Sequence, residues 1–256
     1  MTTLWRSTLL AIILLTLPFP AWAGSAAILV YHRFGPTVAD SMTTRTETFE
    51  RQLAALRQEG YRILPLSEVV EGLTGKADLP GKAVAITVDD GHRTVYTDLL
   101  PIIKRQRLAV SLFIYPSAIS NASYAMTWEE LRELAATGLV EIGSHTYWHP
   151  NFKTEKKRLP PAEYASFVTM QLSKSRATLQ RRLGVEADIL AWAFGITDEE
   201  LQAEAGRVGY RAALALGERT ATDQDPVLAL PRYLIVDAMG DKGLVTRLRQ
   251  GEAKSR

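Results

Sequence analysis

A chain of 256 residues, 46% hydrophobic and 23% charged, can form one large domain or two small ones with a sizeable core. Its formal charge of +2 offers no basic footprint for nucleic acid, and no such partner is expected. The lack of cysteine excludes disulfides, thiolate nucleophiles and thiolate metal ligands, so a metal site would rest on carboxylates and the four histidines.

The N-terminus reads as a targeting segment. Arg6 sits in a short polar start, residues 9–17 form an apolar run, and Pro18 and Pro20 break it. Ala21 and Ala23 supply the small residues of a cleavage site, so residues 1–23 read as a secretory signal. The run is shorter than the roughly 20 apolar residues of a membrane span. A retained anchor is the alternative. The expectation is a secreted protein of the periplasm or cell envelope, with no stable membrane insertion after cleavage and a single domain over 24–256.

Beyond it, short apolar runs alternate with helical patterns. Residues 26–31 (AAILVY) suit a strand buried on both faces. Phe49, Leu53 and Leu56 follow at helical spacing, stopped by Gly60. Residues 84–88 (VAITV) form the next strand. Val95, Leu99, Ile102 and Ile103 mark a helix, and 110–114 a strand. Thr127 and Glu130 have capping-box spacing, opening a helix that ends near Gly138. Residues 140–143 read as a strand. Val168, Leu172 and Leu179 line a long helix, and 189–193 a strand. Thr197 and Glu200 suggest a second capping box. Strands at 212–216 and 233–236 precede a last helix over about 240–250. Strand and helix repeated about seven times argue for a parallel α/β fold, either a barrel or an open sheet. Neither G-x-G-x-x-G nor a P-loop is present.

In such folds function collects at the C-terminal ends of strands. Three of these ends carry chemistry. The 84–88 strand runs into Asp89, Asp90, Gly91 and His92. The 140–143 strand runs into SHTYWH (144–149), with His145 and His149 four apart. The first strand ends at His32. An Asp pair can be a helix cap, and a spaced His pair can be solvated loop. Taken together, Asp90, His145 and His149 make a three-ligand set with an open position, as a catalytic divalent metal needs. Asp89 is then free beside the ion as a base.

These motifs carry a resemblance. TVDDG (87–91) resembles the T-F-D-D-G motif of the polysaccharide deacetylases (NodB homology, carbohydrate esterase family four). SHTYWH (144–149) is similar to their H-[ST]-x-x-H motif, and LAWAFG (190–195) to their third motif. The resemblance spans roughly residues 26–236. Tyr31 with His32, the stretch FERQL (49–53) followed by Gly60 and Tyr61, and LPR (230–232) are similar to the secreted poly-N-acetylglucosamine deacetylase branch. The resemblance implies a distorted (β/α) barrel of about seven parallel strands. It implies hydrolysis of N-acetyl groups on an amino-sugar polymer, either exopolysaccharide or peptidoglycan. The implied cofactor is a divalent ion, zinc first, with cobalt, nickel or iron as alternatives. It further implies an oxyanion contact from the backbone N–H of Phe194.

The chain departs from the pattern at Ala191 and Ala193, where Arg and Pro are often found, and no histidine follows His149. His32 and His92 are therefore the candidates for the acid, with His32 preferred for its place at a strand end. Arg232 is a candidate to hold Asp89 ionised, a surface salt bridge being its other reading. Tyr147, Trp148 and Trp192 are candidates to stack on sugars, with core packing the other reading of each. Hydrolysis of O-acetyl esters or small amides, and a carbohydrate-binding protein without activity, are the competing functions.

Overall fold

The computed structural model describes residues 24–254; the signal reading of 1–23 lies outside them. Six strands, Ser25–Tyr31, Ala83–Val88, Val110–Ile114, Val140–Ser144, Ile189–Ala191 and Ala212–Leu214, pair in parallel, each with the one before. The ladder then returns to its start. Leu214 bridges in parallel to Leu230, and Tyr233–Leu234 pairs in parallel with Leu29 and Val30. The result is the expected distorted barrel of about seven parallel strands. Two short strands extend it: Arg62–Ile63 beside Ala83–Val88, and Ala221–Thr222 antiparallel to the first strand.

The period-2 alternation of strand side chains sorts the core into two layers. Ala26, Ile28, Ala83, Ala85, Phe113, Ile189, Ala191, Ala212 and Leu214 come from strands around the whole ring, yet form one buried cluster. They fill the lumen, and the many alanines fit its narrow bore. The alternate residues Leu29, Val84, Ile86, Val88, Leu112 and Ile114 pack outward with the apolar faces of helices such as Thr46–Gln58 and Trp128–Ala136. No described helix is long and apolar enough to cross a membrane.

Local chemistry sets several boundaries. The Thr127 capping box forms, with Glu130 N–H donating to Thr127 Oγ1 at 3.2 Å and Thr127 N–H donating to Glu130 Oε2 at 2.7 Å. The second expected box does not. Asp198 is the cap, accepting from Leu201 N–H at 2.9 Å, while Thr197 Oγ1 is buried without a partner. A carboxylate at that position complements the helix N-terminus better than a hydroxyl. The expected helix near Val95 forms in two parts, a wide turn at Val95–Leu99 and a helix at Leu100–Gln106. Pro101 has no N–H to continue a regular ladder between them. The strand expected over 189–193 stops at Ala191, because the chain turns through a left-handed Phe194 at φ 58°.

Candidate active site

The site is built where the strands end. Ala83 and Ala85 face the lumen, and by the same alternation so do Thr87 and Asp89. Thr87 Oγ1 donates to the Leu29 carbonyl at 2.8 Å, and Asp89 N–H donates to the Tyr31 carbonyl at 2.9 Å. These bonds fix Asp89 against the first strand. The chain then turns through two left-handed residues, Asp90 at φ 76° and Gly91 at φ 71°. A Cβ on Gly91 would lie 3.0 Å from Ile114 Cδ1, so a larger residue there would strain the left-handed φ and press on the Ile114 side chain. The turn gives the adjacent carboxylates different surroundings.

Asp89 is 3% exposed and Arg232 is 1% exposed. Arg232 donates from Nη1 to Asp89 Oδ1 and from Nη2 to Asp89 Oδ2, both at 2.8 Å. Its Nη1 also reaches Thr87 Oγ1 at 3.2 Å, and its Nε donates to the Ala215 carbonyl at 3.3 Å. This two-pronged pair is neither long nor exposed, which removes the surface-bridge reading of Arg232. Burial alone would raise the Asp89 carboxyl. The charge and hydrogen bonds of Arg232 outweigh it and hold the group below the usual carboxylate range.

Asp90, His145 and His149 form a second cluster beside this pair, one ligand atom from each lying within 4.8 Å of the others. Asp90 Oδ1 is 3.7 Å from His145 Nε2 and 3.8 Å from His149 Nε2. His145 is buried, and its Nδ1 lies 2.7 Å from the Ala191 carbonyl. A carbonyl only accepts, so Nδ1 carries the proton and the Nε2 lone pair faces both carboxylates, Asp90 and, at 3.6 Å, Asp89 Oδ2. Burial pushes the His145 pKa down to about 3, keeping the ring neutral. His149 is also lowered by burial. The His-x-x-x-His segment is a compact turn, with Thr146 at φ 65° and His149 at φ 63°. Two such non-glycine residues cost on the order of 1–3 kcal/mol each, which the surrounding contacts must offset.

The donor set suits a divalent cation. Atoms held about 2 Å from one tetrahedral ion sit about 3.3 Å apart, so small movements would bring these three onto one. The chemistry also calls for positive charge. The half-buried Asp90 carboxyl is raised by burial and by neighbouring Asp89. Among the described residues, no Lys or Arg lies within ion-pair distance of it.

The other predicted residues take distinct places. His32 is partly buried next to Tyr31, whose carbonyl holds Asp89, and its Nδ1 is buried without a partner. His92 stacks on Tyr124 with its Nδ1 on Thr94 Oγ1 at 2.9 Å. Phe194 is 57% exposed, and its ring lies 4.5 Å from the His149 ring. Trp148 is exposed and packs edge-on to Phe167. Trp192 is fully buried, its Nε1 donating to the Leu228 carbonyl at 2.9 Å, so it is core and cannot stack on a sugar. Sequence reasoning missed Tyr115. Its ring lies 5.4 Å from His149 and its hydroxyl 2.6 Å from that of Tyr124. Its place directly after the 110–114 strand was the available signal.

Known proteins share this architecture. The poly-beta-1,6-N-acetyl-D-glucosamine N-deacetylase of Escherichia coli (strain K12) is 25% identical over 243 residues, covering 81% of this chain but only 36% of its own length. Its namesake in Staphylococcus aureus (strain MRSA252) is 26% identical over 194 residues, covering 74% of this chain and 66% of its own length. The solved structure of the Streptococcus pyogenes deacetylase PplD matches with a TM-score of 0.77 at 21% identity, over 88% of this chain and 99% of that one. The polysaccharide deacetylase family model matches residues 76–213, more than half of the sequence, and the chain belongs to that family.

Proposed function

We propose that the protein is a divalent-metal-dependent N-deacetylase of an N-acetylglucosamine polymer of the exopolysaccharide type. The observation that carries this reading is the adjacency of two differently served carboxylates. Asp89 is locked on Arg232, and Asp90 faces two histidine nitrogens at under 4 Å. The names of the E. coli and S. aureus relatives support the substrate class.

Asp90, His145 and His149 would hold the ion. When bound, it supplies Lewis-acid polarisation of the acetyl carbonyl and acidifies water, with zinc the leading identity. Asp89 accepts the proton of the attacking water, and Arg232 keeps it ionised and oriented for that task. His32 donates the proton to the departing amine, so the C–N bond breaks to give acetate and a free amino sugar. Phe194 presents its backbone N–H to the developing oxyanion. Its exposed ring, with Tyr115 and Tyr124, walls the site. The N-terminal segment directs export to the periplasm or cell surface.

The test is acetate release by the purified chain from β-1,6- and β-1,4-linked N-acetylglucosamine oligomers, with an O-acetyl ester as a separate arm. The expected result is zinc-dependent release from the oligomers, abolished by a chelator and restored by added zinc. No release from any N-acetylated oligomer, with metal supplied, sinks the reading.

A further inference from the structure

The segment carrying both histidines is shaped by side chains more than by the sheet. Every N–H from His145 to His149 has an acceptor. His145 N–H donates to the Ile114 carbonyl at 2.8 Å, continuing the strand ladder. Thr146 N–H reaches Ser144 Oγ at 3.3 Å, and His149 N–H reaches Thr146 Oγ1 at 3.1 Å. The two between, Tyr147 N–H at 3.2 Å and Trp148 N–H at 3.1 Å, both donate to one atom, Oε1 of Gln171. Gln171 lies on the long helix Pro161–Leu183 and is fully buried. Since both neighbours are donors, the amide must present its oxygen.

That helix face is mostly apolar, with Val168, Leu172 and Leu179, and carries a third buried polar residue, Thr178, toward its C-terminal end. Gln171 and Ser175 interrupt it at i, i+4 and so point the same way. Ser175 Oγ lies 2.7 Å from Ser144 Oγ, which also lies 2.8 Å from the Tyr210 hydroxyl. The two ends of the segment therefore differ. His145 is anchored by the sheet and by the Ala191 carbonyl. His149 sits at left-handed φ beyond the two amides that Gln171 gathers.

We propose that Gln171 is a positioning residue that sets metal affinity by holding the His145–His149 turn in the shape that presents His149. This rests on the metal reading above. Its oxygen keeps consecutive amides converged, and without it the turn is free to relax toward ordinary φ and carry His149 away from Asp90 and His145.

The experiment is a zinc titration against a competing chromophoric chelator, using the whole chain. Gln171→Leu is expected to weaken zinc binding about 10- to 100-fold, the usual loss for a partner that orients a ligand. Gln171→Asn, one methylene shorter, should also weaken it. Gln171→Glu, which keeps an acceptor at the same reach, should stay within about threefold of the parent. In a His149→Ala background, Gln171→Leu should add less than about threefold, because the ligand it positions is gone. A purely structural role would lower thermal stability and leave affinity alone. Folded Leu and Asn variants with unchanged zinc affinity overturn the proposal, as does an equal loss with and without His149. If the Leu variant does not fold, the Asn and Glu variants decide. A parent chain that binds no zinc removes the metal reading and this proposal together. A parent chain that binds zinc, with unchanged variants, removes this proposal alone.

Discussion

Asp89→Asn is expected to lower acetate release by about 10²- to 10⁴-fold, the range for loss of a positioned base. The amide is nearly isosteric but cannot take a proton from water, and its NH₂ cannot serve the Arg232 donors that both carboxylate oxygens now accept. The same substitution leaves the Arg232 guanidinium buried without its counter-charge, held only by neutral partners such as Thr87 Oγ1 and the Ala215 carbonyl. Breaking a buried pair from one side costs about 3–5 kcal/mol, a fall in Tm on the order of 10 °C for a chain of this size. Rates are therefore compared at a temperature where both proteins are folded by circular dichroism. A folded Asp89→Asn protein that keeps parental turnover would remove Asp89 as the base.

Arg232→Met should act through the same carboxylate but show itself in the pH profile. In the native chain burial raises the Asp89 carboxyl, and Arg232 reverses that to hold it below its unfolded value. Its stabilising contribution is thus present above the ordinary carboxylate range, near pH 4, and is lost as pH falls below it. Without Arg232, burial prevails and the folded value moves above the unfolded one. The contribution then has the opposite sign, present at low pH and lost as pH rises through the new folded value. The acid limb of kcat should shift to higher pH, and neutral-pH stability should drop by about 3–5 kcal/mol. Urea melts at acid and neutral pH, with a pH–rate profile at equal metal loading, measure both. An unmoved acid limb would show that Arg232 does not govern the base.

Much of the site was legible because its parts are short in sequence. Asp89 and Asp90 are adjacent, His145 and His149 are four apart, and both motifs follow apolar runs whose strand character is plain. What the sequence hid is long-range. The bonds between Arg232 and Asp89 span 143 residues; the resemblance at residues 230–232 pointed to that partnership, but nothing in the local pattern marks Arg232 as buried. Tyr115 reaches the histidines only because its strand lies beside Val140–Ser144. Gln171 looked like an unremarkable position on a long helix, although its polarity on an apolar face was a usable signal. Boundaries failed where one residue overrides a pattern. Phe194 turns left-handed and cuts the strand short, and Asp198 captures the cap assigned to Thr197. The chain closes its barrel through residues 230–234, whose proline and short apolar run gave only a weak strand signal.

The proposed division of labour between the neighbouring carboxylates is read out by metal content. Purified parent, Asp89→Asn and Asp90→Asn proteins are loaded with zinc, desalted and analysed for bound metal alongside acetate release from N-acetylglucosamine oligomers. The parent should hold one zinc per chain and release acetate. Asp89→Asn should hold the zinc and release almost no acetate, while Asp90→Asn should lose both. Zinc lost from Asp89→Asn but retained by Asp90→Asn would contradict the assignment of base and ligand.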